Sequence, residues 1–241
     1  TAKINVDDVC FYEIVPRKHL QHYFDTKSQI TQWVFDNYEK PENYYFLKNL
    51  QTAVKELKRH PVNLNSFAVY CHAADDLKAK HLYEQFGEET PYVDYDIFGT
   101  VTGRMTTKRG SFPALNLKRE LKKHVRPNND VFLELDFNAA EIRTMLALQG
   151  HEQPEEDIHE WNIKEVFKKD LSRDEAKTKI FAWLYNQESK AIKSDYYDRE
   201  ILLEKYFKEG MVETPFGRSI AAPVRKALNY LLQSSSSDNT L

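Results

Sequence analysis

The chain has 241 residues, enough to bury a sizeable core and to hold one or two domains. Hydrophobic residues make up 41% and charged residues 29%, which excludes a disordered chain, and no run of roughly eighteen apolar residues is present to span a membrane as a helix. A net charge of −3 excludes a uniformly basic nucleic-acid binder, so any such role must rest on local charge.

Residues 1–90 read as helical and rich in aromatics. Lys27 to Asn37 and Tyr45 to Lys58 carry apolar residues at three- and four-residue spacing, with Pro41 and Pro61 as breaks. The aromatic residues here are expected to pack a core, and no catalytic motif stands out. The N-terminus, Thr1 to Asp8, lacks the apolar segment of a secretory signal. Cys10 and Cys71 have no CxxC spacing and form no disulfide framework, which points to a reducing, cytoplasmic compartment.

From Tyr92 the texture changes to short strands and turns. Between Val101 and Asp130 lie eight basic residues, Arg104, Lys108, Arg109, Lys118, Arg119, Lys122, Lys123 and Arg126, against Glu120 and Asp130. Such an excess either tracks a phosphate backbone or coats a solvated loop. Val131 to Asp136 reads as a mostly buried strand that ends in a carboxylate. Asn138 then suits the N-cap of a helix that Gly150 stops.

Ser172, with Glu175 three residues on, predicts a capping box for a helix reaching Asn186. Tyr196 to Glu209 reads as a further helix closed by Gly210. Met211 to Ile220 reads as a hairpin with Pro215 and Gly217 in its turn. A final helix runs from Ala222 to Leu232. The serines 234–237 suit a linker by composition alone, but their place after Gln233 favours continued structure.

Three groups of residues could carry chemistry. Asp136, at a strand end, is either a ligand for a hard divalent cation or a cap of the strand-to-helix turn. Arg173, Lys177, Phe181 and Tyr185 recur every four residues, which lays them along one stripe about 18 Å long on a helix. Two cations followed by two aromatics could grip a polyphosphate and stack a base and sugar; the alternative is an ordinary amphipathic helix. Arg225, Asn229 and Gln233 repeat the interval and could reach minor-groove acceptors or lie on a solvated face.

Taken in order, Thr102-Gly-Arg-Met-Thr-Thr107, Asn116-Leu117, Leu135-Asp-Phe-Asn-Ala-Ala-Glu-Ile-Arg143, Asp157-Ile-His159, the Arg173 stripe and the Arg225 stripe resemble the family A DNA polymerases, the bacterial DNA polymerase I type. The resemblance covers roughly residues 92–241. It implies an α+β right-hand fold with an antiparallel palm sheet, helical fingers and a partial helical thumb. The implied divisions are a helical thumb-like segment at 1–90 and a palm with motif A at 91–160. Fingers with motif B follow at 161–210, and an incomplete return to the palm at 211–241.

The resemblance also implies template-directed DNA synthesis, the addition of deoxynucleotides to a primer 3′-hydroxyl. Its partners would be primer-template DNA and dNTPs, and its cofactor two Mg²⁺ ions. By this resemblance Asp136 binds both metals and the Phe137 carbonyl is a further ligand. Glu141 and Tyr185 close the sugar 2′ position. Arg173, Lys177 and His159 contact the triphosphate, with Lys177 also catalytic. Phe181 stacks near the sugar and base, and Arg104, Arg225, Asn229 and Gln233 contact the minor groove.

Several departures stand against the family pattern. Asn138, Ala139 and Ala140 replace the usual Tyr-Ser-Gln of motif A, and Asn186 replaces a motif B glycine. The stretch from Asn186 to Val212 is shorter than in bacterial members, which suggests a phage-like branch. Motif C, which supplies the second metal-binding aspartate, is expected several dozen residues after Gln233, beyond Leu241. The chain is therefore expected either to be a fragment or to work with a second polypeptide that carries motif C. Two rivals remain: a non-catalytic nucleic-acid-binding or assembly module, and a single-subunit RNA polymerase relative. Glu141 argues against the second, because RNA synthesis needs room at the 2′ position.

Overall fold

The computed structural model describes residues 10–186, 188–189 and 192–240. It is a mixed α/β structure, mainly helical, with small antiparallel sheets. The chain divides into two compact units, 1–49 and 50–241.

The first unit holds α1 (Phe11–Ile14), α2 (Arg17–Asn37) and the start of α3 (Tyr44–Arg59). The helix expected from Lys27 begins ten residues earlier, directly after Pro16, whose fixed φ suits a helix entrance. The expected aromatic core is not found here. Phe24, Trp33, Phe35, Tyr38 and Tyr45 are all exposed, and they make edge-to-face contacts instead: Trp33 with Tyr38, Phe24 with Tyr23, and Phe35 and Tyr45 with Tyr44.

In the second unit, α4 (Ser66–His72) and α5 (Leu77–Phe86) pack together. Asn65 caps α4 by accepting from the Ala68 N–H, and Asp76 caps α5 by accepting from the Lys78 and Ala79 N–H groups. Val69, Ala79, Leu82 and Phe86 join Phe112 and Leu121 in one small core. Around it run two short antiparallel pairs: β1 (Asn63–Leu64) with β4 (Val125–Arg126), and β2 (Tyr95–Asp96) with β3 (Thr106–Thr107). Between β3 and β4 lies α6 (Arg119–Lys122).

A larger core is built from α7 (Ala140–Leu148), α8 (Ile158–Asn162), α9 (Arg173–Tyr185), α10 (Arg199–Tyr206) and α11 (Val224–Thr240). Helix α8 continues into a π-helical turn, Ile163–Phe167. Ile142, Met145 and Leu146 of α7 face Leu228, Leu231 and Leu232 of α11 within this core, at the three- and four-residue intervals of a packed helix face. The sheet β5 (Phe207–Lys208), β6 (Met211–Glu213), β7 (Ser219–Ala221) closes one side, with Val212 and Ile220 turned inward.

The capping box at Ser172 forms as expected: the hydroxyl accepts from the Glu175 N–H, and the Glu175 carboxylate accepts from the Ser172 N–H at 2.8 Å. Ser172→Ala should cost about 1 kcal/mol of stability, read as a fall of roughly 2–4 °C in Tm. The hairpin around Pro215 and Gly217 is likewise present.

Four expectations are corrected. The helix of 196–209 is shorter, because Glu209 and Gly210 both take positive φ and turn the chain from β5 into β6 as a two-residue hairpin loop. Asn138 is not the cap of α7; Ala139 holds that position in the left-handed region, at φ 50°. The helix expected from Ala222 to Leu232 runs instead from Val224 to Thr240, so serines 234–237 continue the structure, as their place after Gln233 favoured, and lie buried within α11.

The fourth correction is the largest. Residues 131–136 form no strand and are exposed, with Leu133 at 81% and Leu135 at 83%. A strand exists only through a neighbour that completes its hydrogen-bond ladder. Among the described residues no strand pairs with this segment, so its apolar side chains stand in solvent.

Candidate functional site

Helix α9 has two working faces. Ala176, Ile180, Trp183 and Leu184 are buried in the core. The stripe Arg173, Lys177, Phe181, Tyr185 faces a cavity of about 490 Å³, which is also lined by Arg104, Asp136, Phe137, Glu141 and His159. These nine residues come from four stretches of chain spread over more than eighty positions. The structure thus brings together every residue expected to touch metal or nucleotide, plus Arg104 from the expected minor-groove group.

At one end of the cavity Glu141 is the hub. Its carboxylate accepts from the Tyr185 hydroxyl and from Arg104 Nη2, the latter at 2.6 Å. The Glu141 side chain is only 12% exposed, so the ion pair with Arg104 is shielded on the carboxylate side. Burial first, and then the bond to the Glu141 carboxylate, push the Tyr185 phenol well above its ordinary range, so it stays a donor at every physiological pH. The Gln233 side chain of α11 lies beside the Tyr185 phenol. Phe181 stacks on Tyr185 with ring centroids 5.9 Å apart and planes 16° from parallel.

Outside the lining, bonded to the lining residues Asn138 and Arg173, Asp157 is a second hub. It caps α8 by accepting from the His159 and Glu160 N–H groups. It also accepts from Arg173 twice, Nε at 3.2 Å and Nη2 at 2.8 Å, and from Asn138 Nδ2 at 2.9 Å. The Arg173 guanidinium above all, with these other donors, holds the Asp157 carboxyl far below the usual carboxylate range. His159 is buried and its Nδ1 has no partner among the described residues. Desolvation keeps its pKa below the ordinary histidine value, so the ring is neutral at pH 7.

The position of Arg104 depends on the glycine before it. Gly103 has φ +80°, and a Cβ there would lie 2.5 Å from Arg218 Nη2. Arg218 is in turn held by Asp238 of α11, with Nε 3.2 Å from Oδ2 and a second bond from Nη2 to Oδ1. Gly103→Ala should destabilise the protein by about 1–3 kcal/mol through backbone strain and displacement of Arg218. Thermal unfolding alongside Gly110→Ala checks this, since Gly110 shares the positive φ but has open space around it.

Arg225 and Asn229 do not line the cavity. They lie on α11, Arg225 exposed and Asn229 partly so, while Gln233 reaches the site through Tyr185. Of the basic run, Arg104, Lys108 and Lys118 are ion-paired to Glu141, Asp94 and Asp76. Arg109, Arg119, Lys122, Lys123 and Arg126 are exposed.

Asp157 and Asn138 are the site residues that the sequence roles did not name. The signal for Asp157 was its place one residue before a helix start, where a carboxylate accepts backbone N–H groups. No group of three or more His, Cys, Asp or Glu side chains placed to hold a metal ion occurs among the described residues. Of the carboxylates lining the cavity, Asp136 is the one left for a cation, since Glu141 is taken up by Tyr185 and Arg104, and Phe137, whose carbonyl was expected as a ligand, lines the cavity beside it. These oxygen donors are of the type that Mg²⁺ takes, but they are too few to hold one ion by themselves.

Among the described residues no helix is long and apolar enough to cross a membrane. Compared with known proteins, the chain matches no protein-family model and no curated protein.

Proposed function

We propose that this chain carries the nucleotide-binding part of a template-directed DNA polymerase of the family A type, with residues 91–160 as palm, 161–210 as fingers and 211–241 as a return to the palm. Residues 1–90 are the thumb-like segment of the proposed right-hand fold. One observation carries the reading: eight residues distant in sequence, each suited to one part of a dNTP or its metal, converge on a single cavity with Arg104 beside them.

In this reading Lys177, Arg173 and His159 hold the triphosphate. Phe181 presents a flat face to the sugar and base, and Glu141, fixed by Tyr185 and Arg104, fills the space that a 2′-hydroxyl would need. Arg104, Arg225, Asn229 and Gln233 follow the minor groove of the primer-template, and the exposed cations of 109–126 follow its phosphates. Asp136 and the Phe137 carbonyl hold Mg²⁺, which when bound would lower the charge cost of joining a 3′-hydroxyl to the α-phosphorus with loss of pyrophosphate. The chain's own contribution is to fix the reacting groups in place and to neutralise charge.

The same reading accounts for the bare segment 131–137. Beside it, sharing Asp136 and Phe137, runs a groove of about 560 Å³ between α7 and α11. Ser235 lies against this groove with its hydroxyl buried and unpartnered among the described residues. A polypeptide carrying motif C would complete the sheet here and bring the second carboxylate.

Primer extension tests the proposal, using the chain with Mg²⁺, a labelled primer-template and four dNTPs. Extension that Asp136→Asn abolishes supports it, and failure both to extend and to bind the duplex contradicts it. The shortage of carboxylates favours a second reading, a nucleic-acid-binding or assembly module without catalysis. Tight duplex binding with no extension, even with added motif C polypeptide, is the outcome that reading expects.

A further inference from the structure

Among the described residues Asp157 accepts more hydrogen bonds than any other carboxylate, yet it is not in the lining of the cavity. We infer that Asp157, braced by Asn138, is a positioning residue that holds Arg173 with one guanidinium edge anchored and the other presented to a polyphosphate. The inference rests on the proposed reading of the cavity as a nucleotide site.

The geometry is specific. A guanidinium has two edges that can form paired bonds. Arg173 gives its Nε and Nη2 edge to the two oxygens of Asp157, at 3.2 and 2.8 Å. Nη1 remains, with the highly exposed Asp174 carboxylate 3.9 Å away, beyond hydrogen-bond distance. Asp157 cannot swing with its partner, because two backbone N–H groups of α8 and the Asn138 amide also bond it.

Asn138 is held as well. Its Oδ1 accepts from the Ile158 N–H at 3.4 Å, and its backbone carbonyl accepts from Arg143 Nε at 3.0 Å. Arg143 ties the same turn to the Pro154 and Glu156 carbonyls. The turn that carries Asp136 and the arginine that meets the phosphates are thus fixed to one carboxylate. Asn138 is one of the departures from the usual motif A, and this latch gives it a purpose.

Calorimetric titration of the chain with inorganic tripolyphosphate at fixed salt tests the inference, in the wild type, Asp157→Asn, Arg173→Ala and the double variant. The amide introduced by Asp157→Asn would keep an oxygen to cap α8 but lose the charge that anchors Arg173, so folding is controlled by the melting temperature. Positioning predicts that Asp157→Asn weakens binding about tenfold, and that it adds no further loss in the Arg173→Ala background. Simple electrostatics predicts the opposite sign, because removing a nearby negative charge should tighten an anion. Tighter binding would show Asp157 to be a competitor for Arg173, and unchanged binding would reduce it to a helix cap; either result overturns the inference. If the wild type binds and Lys177→Ala abolishes binding while Asp157→Asn does nothing, only the positioning role falls. If the wild type does not bind tripolyphosphate or dNTP, the nucleotide-site reading falls with it.

Discussion

Replacing Lys177 with alanine is expected to weaken binding of a deoxynucleoside triphosphate by about 10- to 100-fold. The cations of the cavity are not equivalent. Arg104 is neutralised by Glu141 and Arg173 by Asp157, whereas among the described residues no ion pair holds Lys177. The net attraction for a triphosphate therefore comes mainly from this one ammonium, a compact charge on a flexible stem. Alanine is a good helix former and position 177 is exposed, so α9 should keep its shape and the melting temperature should barely move. Titration with a fluorescent dATP analogue measures the effect. Unchanged affinity would mean that the stripe does not meet phosphates.

Glu141→Ala is expected to raise ribonucleotide binding relative to deoxyribonucleotide binding by about a hundredfold. The Glu141 side chain is a wall because it cannot rotate away without breaking its bonds to Tyr185 and Arg104. Its near-complete burial makes that loss expensive, since both partners would be left without their acceptor. Alanine removes the wall and releases both partners together. Glu141→Gln keeps the bulk, so it should retain most of the discrimination. Competition of ATP against a labelled dATP analogue reports the ratio in each variant. A preference that stays the same in Glu141→Ala would exclude this residue from sugar selection.

Local rules read well from this sequence, and long-range ones did not. The capping box of α9 and its four-residue stripe depend on residues within one or two turns, and both appear as the spacing predicts. The convergence of Arg104, Asp136 and His159 on that stripe was legible only through the ordered set of motifs, because no local pattern links position 104 to position 185. The strand reading of 131–136 failed for a physical reason: apolar content describes what a segment could bury, and a strand needs a second one to pair with, which is absent among the described residues. Composition alone would have made serines 234–237 a linker, whereas their place after Gln233 favoured the continued structure that α11 provides.

The latch of Asn138, Asp157 and Arg173 was hidden for another reason. Each member has an ordinary local explanation: a turn residue, a helix cap and a surface cation. Only the fold shows that one carboxylate serves all three. Ala139 sits beside this latch in the left-handed region, a conformation that costs a residue with a Cβ about 1 kcal/mol or more and persists where its surroundings hold it.

Template-directed selection of a nucleotide is the central claim, and it can be measured without chemistry. The chain is mixed with a labelled duplex whose primer ends in a dideoxynucleotide, and duplex affinity is followed as each of the four dNTPs is added with Mg²⁺. The account predicts that the dNTP complementary to the next template base tightens the complex well beyond the other three, and that Lys177→Ala removes this difference. Equal effects of all four dNTPs, or none, on a duplex that the chain does bind would contradict it.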